Sequence, residues 1–295
     1  MSDAYEGTTE DTTAGTRGLA DDTVVRRIGE LATGLFAMAV LGFLGWILVT
    51  QVDYGLLVSV FDRFVEAFGL VLFIVIVSSV LSVSLGTLMG LARISASPLT
   101  SRIAKGYVEF FRGTPLLFQL FVIFLGIPRA WPYGAFPVED WRVPAAVLGL
   151  TLNHIAYVAE ATRGGVNAVG DGQLEAARSL GMSRVQAMRK VVLPQAWRNA
   201  LPAIGNDQII LVKDTSLLTV IAVPELLSVF RNINSNQFDP WTPLVWVCLF
   251  YLAMTVSLSL IVSLLERRAD WEIDDDQGAW LGRLLGSFSS LGGRR

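Results

Sequence analysis

Residues 64–94 read FVEAFGLVLFIVIVSSVLSVSLGTLMGLARI, a run whose only ionisable side chains are Glu66 at its start and Arg93 at its end. A helix rises 1.5 Å per residue and the hydrocarbon core of a bilayer is about 30 Å thick, so about twenty mostly apolar residues suffice to cross it. Five further runs meet or approach that length. Residues 31–50 and 241–265 are uncharged, and 143–162 is a third. Residues 107–127 are interrupted by Arg112-Gly113-Thr114-Pro115, and 201–223 are unusually polar. The expected fold is all-α, a polytopic transmembrane helical bundle of six spans.

Composition agrees. The 295 residues are 53% hydrophobic and 17% charged, against about 25% charged in a soluble domain. The net charge of -3 and the lack of a basic patch interleaved with aromatics argue against a nucleic-acid partner. Cys248 and His154 are the only residues of their types. That excludes an intrachain disulfide and zinc sites built from several cysteines or histidines. No cofactor is expected, and no H-E-x-x-H or comparable nucleophile constellation supports a membrane-embedded enzyme.

The first apolar run follows a long stretch holding Asp11, Asp21 and Asp22, whereas signal peptides open with a short basic region. It is read as a retained extra N-terminal helix, 31–50. Residues 1–30, rich in Thr, Gly and Asp, are expected to be a disordered tail. Residues 266–295, with Glu266-Arg267-Arg268 and Asp274-Asp275-Asp276, are expected to be a solvated tail.

Six spans place both termini on one side. Alternate loops hold Arg26 and Arg27; Arg93, Arg102 and Lys105; Arg163, Arg178, Arg184, Arg189, Lys190 and Arg198; and Arg267 and Arg268. The opposite set holds Arg63, Arg129, Arg142 and Arg231. Cytoplasmic loops carry the excess of Lys and Arg, so both tails and the 163–198 loop are expected in the cytoplasm. Trp131, Tyr133, Trp141 and Trp241 flank spans on the outer side, where aromatic belts form; packed loop aromatics would read the same way.

The cytoplasmic loop reads DGQLEAARSLGMSRVQAMRKVVLP over 171–194. Asp171 is a candidate N-cap of a short helix through Leu180. Gly181 can take the left-handed conformation that ends it. Ser183 with Gln186 is a capping-box pattern for a second helix, and Pro194 is read as its end. Leu174, Ala177 and Leu180, then Val185, Met188 and Val192, give the two helices apolar faces. This helix-turn-helix fits a docking element for another protein and equally an amphipathic hairpin on the membrane surface.

Polar residues at membrane depth form a second pattern. Asn206 and Lys213 are seven residues apart, as are Asp207 and Asp214, so each pair shares a face. They read either as a wall of a translocation cavity or as an interspan network pairing Lys213 or Asp214 with Arg112, Glu109 or Glu160. Thr114-Pro115 resembles an N-cap followed by proline at the first helical position, marking a helix break or an ordinary kink. His154, alone in its span, is expected to hydrogen-bond a neighbouring helix. Gly86-x-x-x-Gly90 is a possible close helix contact.

The loop carries a family resemblance. Glu175-Ala176-Ala177, Gly181, Val191 and Leu193-Pro194 match in type and spacing the EAA loop of the permease subunits of ATP-binding-cassette importers, with Val191 where the family usually has Ile. Phe111-Arg112-Gly113-Thr114-Pro115-Leu116-Leu117 resembles the branch that carries polar amino acids, the histidine/glutamine type. So do Ala156-Tyr157-Val158-Ala159-Glu160 with Arg163-Gly164-Gly165, and Lys213-Asp214-Thr215-Ser216-Leu217. The resemblance covers residues 64–265 as the transmembrane permease domain and leaves the 31–50 helix and both tails outside.

The resemblance implies that the loop couples to cytoplasmic ATPase subunits through Glu175, Ala176, Ala177, Gly181, Leu193 and Pro194. It implies a second permease subunit, identical or related, an extracytoplasmic substrate-binding protein, and a prokaryotic cell membrane. Arg112, Thr114, Glu160, Lys213 and Asp214 are candidates for the translocation path or gate. The chain holds three lysines, Lys105, Lys190 and Lys213. None follows a glycine, so there is no Walker A motif and ATP hydrolysis belongs to a separate chain. An ion-coupled transporter or a channel is the alternative; it would need no docking hairpin.

Overall fold

The computed structural model describes residues 14–291. It is helical throughout, with no strand among the described residues. Two compact units divide at Leu57. The first contains helix α1, Ala14–Thr50. This helix takes in residues 14–30, assigned from sequence to the tail, and an Arg26–Glu30 ion pair bridges one turn of it. Residues 1–13 lie outside the described residues. The short α2, Tyr54–Ser59, follows.

The second unit holds α3 (Phe61–Arg93), α4 (Pro98–Gly113), α5 (Leu116–Phe121), α6 (Arg142–Asn167), α7 (Asp171–Ser179), α8 (Arg184–Ala187), α9 (Leu193–Asp214), α10 (Leu226–Gln237) and α11 (Trp241–Leu291). Helix α5 continues through a π turn, Val122–Gly126, and a 3-10 turn, Ile127–Ala130. Helix α11 runs on through most of the expected C-terminal tail.

Helix α3 shows why the chain needs lipid. Val71, Ile74, Val75, Ser78, Ser82, Gly86 and Gly90 make its buried face. Leu72, Phe73, Ile76, Val80 and Leu88 make its exposed face. A helix apolar on every side is a core or membrane helix, and this one leaves half its circumference uncovered. Three segments are long and apolar enough to cross a bilayer: Val24–Thr50, Phe61–Arg93 and Trp241–Arg268. A fourth arises if Pro98–Gly113 and Leu116–Ala130 are taken as one broken span. Helices α6 and α9, expected as spans four and five, are long but too polar for that criterion. Their polar side chains turn inward, as described below.

The unit is built around α6, with α3 on one side and α9 on another. Glycine sets both contacts. A Cβ at Gly86 would stand 2.6 Å from Val158 Cβ, and one at Gly90 would stand 2.7 Å from the Ala159 carbonyl oxygen. Gly165 meets the backbone of Ala196 on α9 as closely. The spacing from Gly86 to Gly90 is thus a helix contact, as expected.

At the start of α10, Glu225 is fully buried. It accepts from the amides of Leu227 (2.7 Å) and Ser228 (2.6 Å), capping α10, and from the Tyr251 hydroxyl at 3.3 Å. In the loop before α6, Phe136 packs edge-on against both Trp131 and Trp141, and Tyr133 is fully exposed. There Arg142 holds the Asp140 carboxyl down at about 2.

Gly86→Leu should overpack the α3–α6 contact and lower stability by about 1–3 kcal/mol or more, read as a fall in the thermal midpoint in detergent. Gly69→Ala, with nothing within 4 Å of the added methyl, should leave the midpoint unchanged or slightly raise it.

Candidate functional site: a polar cavity at a broken helix and a capped hairpin

Between α4 and α5 the chain bends by 102°. The break falls where Arg112-Gly113-Thr114-Pro115 predicts it, but the caps differ. Thr114 is the C-cap of α4 and Pro115 takes the N-cap position of α5. The Thr114 hydroxyl donates back to the Phe110 carbonyl at 2.9 Å, so it closes the first helix instead of opening the second.

Breaking a helix frees backbone carbonyls that need new donors. Gln119 supplies them. Its Nε2 lies 2.9 Å from Phe111 O, 3.1 Å from Thr114 O and 2.8 Å from Thr114 Oγ1. Its own Oε1 accepts from Asn153 of α6 at 3.0 Å. Neither Gln119 nor Asn153 stood out in the sequence, because their role exists only once the break is built.

Beside the break lies a cavity of about 410 Å³, lined by residues that include Arg112, Thr114, Asn153, His154, Tyr157, Asp207 and Asp214. This is within the range of small-molecule sites. His154 Nδ1 lies 2.9 Å from Asp207 Oδ1 and Nε2 lies 3.4 Å from Asp214 Oδ2. The histidine does bond a neighbouring helix, and it does so at the cavity. The Arg112 guanidinium stands 5.4 Å from the Tyr157 ring centroid.

Of the expected path residues, Arg112, Thr114 and Asp214 meet here. Glu160 stands one step away, 3.6 Å from Arg112 and paired with Arg93 and Arg163. Lys213 does not join them. It is exposed, like Asn206, whereas Asp207 is buried. The stripe therefore splits into an inner acidic edge and an outer edge. Asp214 pairs with His154, not with Arg112, Glu109 or Glu160.

The hairpin at 171–194 keeps most of its expected form. Gly181 has φ 85°. Its amide donates to Arg178 O at 3.0 Å, and Met182 N donates to Ala177 O at 3.2 Å, the paired bonds of a Schellman end. Ser183 and Gln186 make the capping box in both directions, at 3.3 and 2.9 Å. Two expectations shift. Gly170 is the N-cap of α7, and Asp171 opens its first turn. Pro194 ends nothing: the chain passes through a π turn, Met188–Val192, and Pro194 sits in the first turn of α9, where proline's missing N–H costs no bond.

The apolar faces also divide. Ala177 and Val192 are buried, and Leu174 and Met188 pack with Val192 against Val169 and Ala196. Leu180 and Val185 point away, 82% and 76% exposed. Glu175 and Ala176 are exposed too.

The sequence pattern of the binding-protein-dependent transport system inner membrane components matches residues 82–271. The chain belongs to that family. Among its relatives this permease is 35% identical over 219 residues to the probable amino-acid permease protein YxeN of Bacillus subtilis (strain 168), across 74% of the permease and 96% of the relative. It is 35% identical over 221 residues to the glutamine transport system permease protein GlnP of Escherichia coli (strain K12), across 74% and 98%. A solved structure described as an amino acid ABC transporter with histidines matches at TM-score 0.67 and 35% identity, over 74% of the permease and all of that chain. The permease is a transport component of an ATP-driven importer, without a catalytic role of its own.

Gln119→Leu should strand the Thr114 carbonyl, while the Phe111 carbonyl keeps the Asn153 amide at 3.4 Å. The cost is about 1–3 kcal/mol for each group left without a partner. Thermal unfolding in detergent should then show a midpoint lower by roughly 5 °C or more.

Proposed function

We propose that the chain is the permease subunit of an importer for polar amino acids. In this reading the cavity beside the α4–α5 break receives the substrate, and the hairpin at 171–194 receives the motion of a separate ATPase. The observation that carries it is the hairpin tip: a rigidly capped turn at Gly181 that holds Leu180 and Val185 out of the protein's own core. The arginines Arg178, Arg184 and Arg189 flank that tip and are exposed. An apolar pair ringed by charge is a surface made for a protein groove.

The topology proposed has six crossings: α1, α3, the broken α4–α5 pair, α6, α9 with its 3-10 extension, and α11. Both termini and the hairpin lie in the cytoplasm, following the distribution of Lys and Arg. Residues 64–265 form the transport domain proper, the 31–50 stretch is an added crossing, and 266–295 is a cytoplasmic tail. Two copies, or this chain with a related one, enclose the path. A binding protein delivers substrate from outside.

The cavity's chemistry suits an α-amino acid. Arg112 offers a cation to the α-carboxylate. Glu160, bracketed by Arg93, Arg163 and Arg112, sits beyond the cavity as the gate. The relatives named above for amino acids and for glutamine support the substrate class.

Gly181→Val forces a β-branched residue into a left-handed conformation, which is strained. The complex should assemble and hydrolyse ATP, but uptake into vesicles should fall at least tenfold. Full uptake by that variant would remove the hairpin from the coupling route. Replacing Leu180 and Val185 together by Asp should abolish copurification of the ATPase, with the permease still inserted.

A further inference from the structure

The His154 imidazole stands between two carboxylates in a cavity that the amino-acid reading assigns to substrate, and this inference rests on that reading. The ring is 1% exposed. Nδ1 meets Asp207 at 2.9 Å, in hydrogen-bonding geometry. Nε2 meets Asp214 at 3.4 Å but without the alignment of a hydrogen bond, so it is a buried nitrogen with no bonded partner. It sits among the residues that line the cavity.

The charge count follows from these contacts. An ionised carboxylate only accepts hydrogen bonds, so a ring with a carboxylate on each side is satisfied only when both nitrogens carry protons. Arg112 brings one positive charge to the cavity wall and Asp207 and Asp214 bring two negative ones. The doubly protonated ring makes the wall neutral. Glu160 lies 3.6 Å from Arg112 but is shared with Arg93 and Arg163, so one carboxylate faces three guanidiniums and the charge of Arg112 is not cancelled. From α6, Tyr157 adds a ring face and no charge.

We infer that His154 is a specificity-determining residue: by occupying Asp207 and Asp214 it makes the cavity select amino acids with uncharged polar side chains and reject cationic ones. A zwitterionic backbone adds no net charge, so the wall's own sum decides which side chain is tolerated. Arginine or lysine would place a second cation against a wall whose anions are already taken. Specificity of this kind comes as much from the repelled ligand as from the bound one.

The test is equilibrium binding of radiolabelled glutamine, arginine and glutamate to the purified permease–ATPase complex, without the capture protein. The wild-type complex should bind glutamine at least about tenfold more tightly than arginine. His154→Ser removes the countercharge of the two carboxylates, of which Asp207 keeps the Gln208 amide at 3.0 Å, and should move the glutamine-to-arginine ratio toward arginine by tenfold or more. Adding Asp207→Asn to that variant restores the charge sum and should return the ratio toward its wild-type value. Asp207→Asn alone, which keeps the imidazole, should shift selection toward glutamate, and it serves if His154→Ser does not fold. A wild-type preference for arginine overturns the inference. So does an unchanged ratio in a His154→Ser complex that still binds, or in Asp207→Asn alone. A complex that binds none of the three amino acids overturns the amino-acid reading itself, and the inference with it.

Discussion

A polar group inside a bilayer has no water to fall back on, so every such group must find its partner within protein. That constraint governs the break between α4 and α5. Pro115 has no N–H to lose, Thr114 turns its hydroxyl back on α4, and Gln119 collects the carbonyls left over. Asn153 then satisfies Gln119, which ties the break to α6. Pro115 and the extended Thr114 before it make the bend, and these bonds let it form without stranding the carbonyls it exposes. The cavity is a consequence of how the break is satisfied.

The same constraint accounts for helices α6 and α9. Neither is apolar enough to stand alone as a span, because each spends part of one face on Asn153, His154, Asp207 and Asp214. His154 of α6 reaches Asp207 of α9 only because the helices meet at close range. Gly165 lets α6 touch the backbone of α9 at Ala196, and Ala196 also belongs to the apolar cluster under the hairpin. One continuous helix, Leu193–Asp214, therefore carries the hairpin's base at one end and the acidic edge of the cavity at the other. At 1.5 Å per residue, Asp207 lies about 21 Å from Leu193. The hairpin's base and the cavity's acidic edge thus share one helix, which carries Pro202 in its interior.

How much of this was legible in the sequence depended on how local each feature is. Gly181 and the Ser183–Gln186 box are set by a few neighbouring residues, and both came out as read. The run at 64–94 is long enough that its boundaries hardly matter. Asp171 and Thr114 were read one position or one helix wrong. Both have side chains that can cap on either side, and only the built backbone shows which carbonyl or amide is free. The seven-residue spacing of Asn206 with Lys213 and Asp207 with Asp214 identified two faces about 100° apart. Nothing in the spacing says which one turns inward. His154 carried no motif at all: its partners are 53 and 60 residues away along the chain, and only packing brings them together.

Lys213 completes the argument from the outside. Its ammonium is exposed and makes no ion pair with the described residues. An ammonium facing lipid near mid-depth costs about 2.5 kcal/mol at the least. The Asn206 amide lies on the same exposed edge. An edge that carries these two groups is not a lipid surface; it needs water or another polar wall opposite.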